Sequence, residues 1–173
     1  MTSSTPGVRL VPLPLAALSA LADADLTGAS EALGLPLTGF IVSYRWLWEL
    51  RLEQIKSVPE DAGWIARMVV AKGDVTVGLA GFHAGPGSQG WVEVSYAIDP
   101  AHRRQGFGHA ALATVLDWAR NVPELRSVRA SVAPHNRASI IILNKAGFLS
   151  IGEQFDPQDG RELLFELTLG GGA

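Results

Sequence analysis

The stretch Glu93-Val-Ser-Tyr-Ala-Ile-Asp-Pro-Ala-His-Arg-Arg-Gln-Gly-Phe-Gly-His109 decides how this chain is read. With the preceding Trp91 and Val92 it begins as a strand that ends at Ile98. A period of two sets Glu93, Ser95 and Ala97 on one face and Val92, Val94, Tyr96 and Ile98 on the other. A short loop follows, and a helix is expected from Gly106 to Arg120, with Ala111, Val115, Trp118 and Ala119 on one side. The first amides of a helix have no internal partner and carry partial positive charge, which suits a phosphate. Gly106 and Gly108 lack Cβ, so a ligand can approach the backbone closely. Arg103 and Arg104 add charge beside them. The Gly-Lys-Ser/Thr ending of a nucleotide-triphosphate loop is missing, and a dinucleotide fingerprint would need a third glycine at Ala111. On these residues alone an anion site and a plain strand–helix turn with two solvated arginines stand level.

Outward from this stretch the chain alternates short strands and helices. Val8 to Leu13 reads as a strand, Leu15 to Leu33 as one helix stopped by Gly34 and Pro36, and Ser43 to Lys56 as a helix capped by Ser43. Trp64 to Ala71 and Val75 to His83 form a hairpin around Lys72, Gly73 and Asp74. Beyond the helix come a strand from Ser127 to Val132 and a short helix from Asn136 to Lys145 closed by Gly147. A last hairpin joins Phe148–Phe155 to Arg161–Leu169. Antiparallel hairpins with one strand–helix–strand crossover make a mixed α/β layer structure, a single domain over residues 7–169. Residues 1–6 read as a disordered tip and 170–173 as a flexible tail.

The 173 residues suffice for one sizeable core, and with 47% hydrophobic and 18% charged residues the composition is globular. A net charge of −3 offers no basic excess for nucleic acid or an anionic membrane. Cysteine is absent, which removes disulfides, thiolate metal sites and an acyl-cysteine intermediate. Val8 to Ala22 is apolar, yet Arg9, Pro12 and Pro14 interrupt it and no basic segment precedes it, unlike a signal peptide. The expectation is a soluble cytoplasmic protein. His83, His102, His109 and His135 are scattered without metal-ligand spacing, so no metal is expected.

The spacing Arg103-x-x-Gly106-x-Gly108 resembles the coenzyme A pyrophosphate loop of the GNAT superfamily of N-acetyltransferases. The strand Glu93 to Pro100 is similar to the family's fourth strand. Asn136-Arg-Ala-Ser139 followed by Asn144-Lys-Ala-Gly-Phe148 resembles the pattern of the RimJ/RimL-like branch. The element order agrees over nearly the whole chain. The resemblance implies a largely antiparallel sheet with helices on both faces, splayed where acetyl-CoA enters. It implies that the backbone of Tyr96, Ala97 and Ile98 pairs with the pantetheine arm. Arg103, Arg104, Gln105, Gly106, Phe107, Gly108 and His109 would form the pyrophosphate loop, and Asn136 would bond the arm. Many members carry a tyrosine seven residues after that asparagine to protonate the thiolate. Here the position is Leu143, and Ser139 is the candidate in its place.

The chemistry sets its own demands. An amine attacks a thioester only when neutral, and a lysine ammonium has a pKa of about 10.4. A base must therefore take a proton, and Glu93 is the candidate. A carboxylate on a mainly apolar strand is also explained by an ion pair or a loop cap. A thiolate is a tolerable leaving group near its pKa of about 8.5, so one hydrogen bond from Ser139 would suffice. Asn136 is equally a plain N-cap.

The resemblance places the acceptor between the first helices and the last hairpin, where Trp46 and Phe155 could line a pocket. Tyr44 and Trp48 read as core. Glu49 and Glu53 could attract a cationic amine or form a solvated helix face. The expected acceptor is a primary amine on a small molecule or a peptide N-terminus. A non-catalytic acyl-CoA-binding module and a plain nucleotide-phosphate binder are the rival readings. The last hairpin offers an edge strand that could pair with a second copy in a homodimer.

Overall fold

The computed structural model describes residues 6–170, so the expected tip and tail lie outside the described residues except for Pro6 and Gly170. Seven strands form the sheet: β1 (Val8–Pro12), β2 (Arg67–Ala71), β3 (Val75–Phe82), β4 (Trp91–Ile98), β5 (Ser127–Val132), β6 (Leu149–Asp156) and β7 (Gly160–Thr168). Their order across the sheet is β1-β2-β3-β4-β5-β7-β6. Every neighbouring pair is antiparallel except β4 and β5. That pair runs parallel, and it meets only where Trp91, Val92 and Glu93 face Ser127, Val128 and Arg129. The sheet opens beyond that point.

The helices are α1 (Leu15–Ala22), α2 (Leu26–Leu33), α3 (Gly39–Ser43), α4 (Arg45–Ser57), α5 (Phe107–Arg120) and α6 (Arg137–Lys145). Strand alternation divides the core between the two faces of the sheet. Met68, Val70 and Leu79 pack with Leu18, Leu21, Ile41 and Trp48 of the first four helices. Val69, Val77 and Val92 pack with Ala111, Leu112, Val115 and Leu143 of α5 and α6. Trp48 is fully buried, and its indole N–H donates to the Ile41 carbonyl at 2.7 Å.

The single helix expected over Leu15–Leu33 is two. The chain turns at Ala24, which has φ 59°, and the Asp25 carboxylate accepts from the Gly28 amide at 2.9 Å to cap α2. A short polar side chain bonding a nearby amide competes with helix continuation, and the apolar periodicity does not register it. Ser43 likewise does not cap α4. Its hydroxyl donates to the Phe40 carbonyl at 2.6 Å, and α4 begins two residues later. Strand β2 starts at Arg67, not Trp64, because Pro59–Gly63 is a 3-10 turn. The Trp64 ring stacks on Trp118 at 5.6 Å, and Trp118 in turn meets Phe82 at 4.7 Å. Strands β4 and β5 have the expected bounds. The expected edge strand is β6, exposed along most of its length.

Candidate active site

At the C-terminal end of β4 the chain is pinned before it turns. The Thr38 hydroxyl donates to Asp99 Oδ2 at 2.9 Å, and Asp99 Oδ1 accepts from the Ala101 amide at 3.0 Å. A 3-10 turn over Pro100–His102 leads into the loop. Arg104 has φ 61° and Gly106 φ 87°, so two left-handed residues bend the backbone into the start of α5. No side chain caps this helix. Among the described residues none of the amides from Arg104 to His109 has an intramolecular partner, and Ala110 N is the first to bond, to Gly106 O at 3.0 Å. Such a run of free donors at the N-terminus of a helix is an anion cradle. Arg103 does not reach into it: its Nε donates back to the Ile98 carbonyl at 3.0 Å. Gly108 serves packing as well, since a Cβ there would come within 3.0 Å of Ile142 of α6.

The opening between β4 and β5 is a cavity of about 150 Å³. Tyr96 and Val94 form one wall, Ser131 and Ala130 the other, and Asn136, Ser139 and Leu143 of α6 close it. The His83 amide donates to the Glu93 carbonyl, so Glu93 turns its backbone toward β3. By alternation Val94, Tyr96 and Ile98 turn theirs toward the opening. The carbonyl of Ala97 lies against Gly78 of β3, so of the three residues expected to pair with a pantetheine arm, Ala97 does not present its backbone to the cleft. Asn136 caps α6, its side-chain oxygen accepting from the Ser139 amide at 3.2 Å, while it also lines the cleft. The two readings of that residue are compatible.

Glu93 sits where the strands part. Its Oε1 accepts from the Ser131 hydroxyl at 2.6 Å, and its Oε2 lies 3.6 Å from His83 Nδ1, beyond hydrogen-bond range but close enough for charge to act. His83 looks isolated along the chain. The β3–β4 hairpin, with Phe82 opposite Val94, carries it to Glu93. The register of that hairpin, not any spacing along the chain, brings the two together. The His83 carbonyl is held by Arg51 Nη1 and by Gln54 Nε2, each at 2.8 Å. Burial is the largest influence on the imidazole and holds its pKa below the ordinary histidine value. Glu93 opposes this, Arg51 reinforces it, and Glu162 opposes it more weakly.

His83 and Glu93 also line a second cavity, of about 360 Å³, with Gly85 and Gly87 of the β3–β4 loop and Trp91 at the start of β4. His83 borders both spaces. Trp46 (62% exposed) and Phe155 (77% exposed) line neither. Glu49 pairs with Arg45 at 2.9 Å and Glu53 with Lys56 at 2.6 Å on the exposed face of α4. Their carboxylates are therefore matched within the helix.

Residues 41–149, more than half of the chain, match the family model of the acetyltransferase (GNAT) domain. The chain belongs to the GNAT acetyltransferase family. It is 26% identical over 102 residues, 59% of this chain and 57% of the relative, to the uncharacterized N-acetyltransferase p20 of Bacillus licheniformis. The chain spans about half the length of the curated relatives it matches. The fold is that of solved GNAT structures. A spermidine N-acetyltransferase from Vibrio cholerae, in complex with CoA and spermine, superposes with a TM-score of 0.67 at 14% identity, covering 95% of this chain and 96% of that one. A ribosomal-protein-S5-alanine acetyltransferase from Vibrio fischeri gives 0.63 at 17% identity, covering 94% and 92%. In this GNAT domain the strands part after Glu93, the cleft they open lies between β4, β5 and α6, and the uncapped α5 begins beyond the end of β4.

Proposed function

We propose that the protein transfers an acetyl group from acetyl-CoA directly to a primary amine, as a member of the RimJ/RimL-like branch of its family. The observation that carries this is a cleft between β4 and β5 walled by Asn136 and Ser139, on the strand that leads into the free amides of Arg104 to His109. Those amides take the pyrophosphate. The cleft-facing backbone of Tyr96 and Ile98 pairs with the pantetheine arm, and Asn136 bonds it. Without cysteine there is no acyl-cysteine, so the amine attacks the thioester within a ternary complex.

Glu93 takes the proton from the amine, directly or through one water, with Ser131 holding its carboxylate. Ser139 directs its hydroxyl at the departing sulfur. The acceptor enters through the cavity beside Trp91, which Glu93 and His83 line and which shares His83 with the cleft. Two carboxylates, Glu93 and Glu162, act on His83 against the single Arg51 guanidinium, so the net charge favours a cationic amine.

The test is a panel of small amines, polyamines and peptide N-termini, followed by release of free thiol from acetyl-CoA. Transfer to at least one amine, lost in Glu93→Gln, is the expected result. Binding of coenzyme A without turnover of any amine would leave an acyl-CoA-binding module instead. Displacement of bound coenzyme A by ATP at equal concentration would favour a general phosphate binder.

A further inference from the structure

Among the described residues the buried side-chain polar atoms without a partner lie on Arg51, Thr76, Tyr96 and His109. Of these residues only Tyr96, on β4, lines the cleft, which Ser139 of α6 lines as well. A buried phenol left unpaired is costly, and such a group calls for an explanation. The side chain that acts on the Tyr96 phenol is that of Ser139. Burial, the larger influence, pushes the phenol pKa up and the Ser139 hydroxyl draws it down, yet the phenol oxygen has no hydrogen-bond partner among the described residues. One turn further along α6 stands Leu143, fully buried and without a donor.

We propose that Tyr96 is a positioning residue for acyl transfer: its hydroxyl donates to Ser139 Oγ when acetyl-CoA fills the cleft, which turns the Ser139 hydrogen toward the thioester sulfur. This rests on the reading of the cleft as the acetyl-CoA site. A serine hydroxyl has one hydrogen and two acceptor lone pairs, so it rotates freely unless something fixes it. A phenol donating to its oxygen removes that freedom and strengthens the outgoing hydrogen bond through polarisation. In the step itself the amine nitrogen bonds to the carbonyl carbon and loses a proton to Glu93. The carbon–sulfur bond then breaks with its electron pair on sulfur. Ser139 stabilises that charge by a hydrogen bond, and the thiolate takes its proton from solvent. Tyr96 is neither oxidised nor deprotonated.

The experiment is a double-mutant cycle of Tyr96→Phe and Ser139→Ala in the full chain, reading kcat, the KM for acetyl-CoA and the calorimetric Kd for coenzyme A. Tyr96→Phe should lower kcat by roughly two- to ten-fold, the scale of one hydrogen bond between neutral groups, with KM and Kd unchanged. In the Ser139→Ala background it should have no further effect. A second readout does not depend on turnover. The chain has two tyrosines, Tyr44 and Tyr96, so fluorotyrosine incorporated into a Tyr44→Phe protein reports on Tyr96 alone. Its fluorine resonance should shift on binding coenzyme A, and shift less when Ser139 is alanine. An unchanged kcat in Tyr96→Phe, or an equal loss in both backgrounds, would overturn the proposal and leave the proposed function standing. Failure of the unmodified protein to bind coenzyme A would overturn both.

Discussion

The hydroxyl of Ser131 on β5 donates to Glu93 Oε1 on β4 at 2.6 Å, two residues past the last point where β5 is paired with β4. The bond spans the widening gap and fixes the carboxylate at its mouth. Glu93 is thereby tied to the geometry of the opening, which a solvated glutamate would not be.

Glu93→Gln keeps the shape and removes the charge. The expected loss in kcat is about 10²-fold or more, the usual contribution of a positioned base. Ser131→Ala should reduce kcat by roughly tenfold, the scale of one hydrogen bond to a charged group, without changing coenzyme A affinity. Steady-state kinetics with calorimetry on both variants would check this. Equal rates for wild type and Glu93→Gln across the pH range would remove Glu93 from the mechanism.

His83 predicts a pH effect of known sign. Burial holds its pKa below the ordinary value of about 6.5, so the folded state disfavours the charged imidazole. In the proposed mechanism a neutral His83 leaves the neighbouring Glu93 carboxylate free to act as base. Activity should be fully present above pH about 6.5 and fall as the pH drops through the depressed His83 value. Stability carries the same sign: it is present above the unfolded pKa and declines on acidification toward the folded one. In His83→Gln the corresponding limb of the kcat/KM profile should vanish or move.

Backbone and side chain at the anion cradle can be separated. Gly106 has φ 87°, and a Cβ there would come within 3.0 Å of Pro6. Gly106→Val should therefore distort the run of amides and weaken coenzyme A binding by about 10²-fold, several broken hydrogen bonds' worth. Arg104→Gly removes a charge but suits the left-handed backbone at φ 61°. It should cost no more than roughly tenfold in affinity, the scale of one exposed ion pair with phosphate. Titration calorimetry with coenzyme A would rank the two, and the reverse ranking would show that the arginine, not the amides, holds the ligand.

The apolar face of α5 holds the helix to the sheet. Leu112 is fully buried between this helix and the sheet. Leu112→Ala should lower the unfolding free energy by about 2–5 kcal/mol, the range for leucine truncation in a packed core. Urea denaturation followed by circular dichroism would measure it. At temperatures where the variant remains folded, its affinity for coenzyme A should be little altered.

What sequence alone determined was local. Period-two alternation set the bounds of β4 and β5, and the spacing Arg103-x-x-Gly106-x-Gly108 placed the free amides ahead of α5, because helix ends and strand faces depend on neighbouring residues. Where a local competitor intervened, as at Asp25, apolar periodicity overran it and merged two helices. The tertiary structure decided which distant groups meet. Hairpin register brought His83 to Glu93, and the departure of β5 from β4 brought Ser131 to its carboxylate. The docking of α6 brought Ser139 toward Tyr96. It also showed that the Arg103 side chain bonds the end of its own strand instead of reaching into the cradle. The Glu93–Ser131 contact joins residues 38 apart through packing between segments, and no spacing along the chain encodes it.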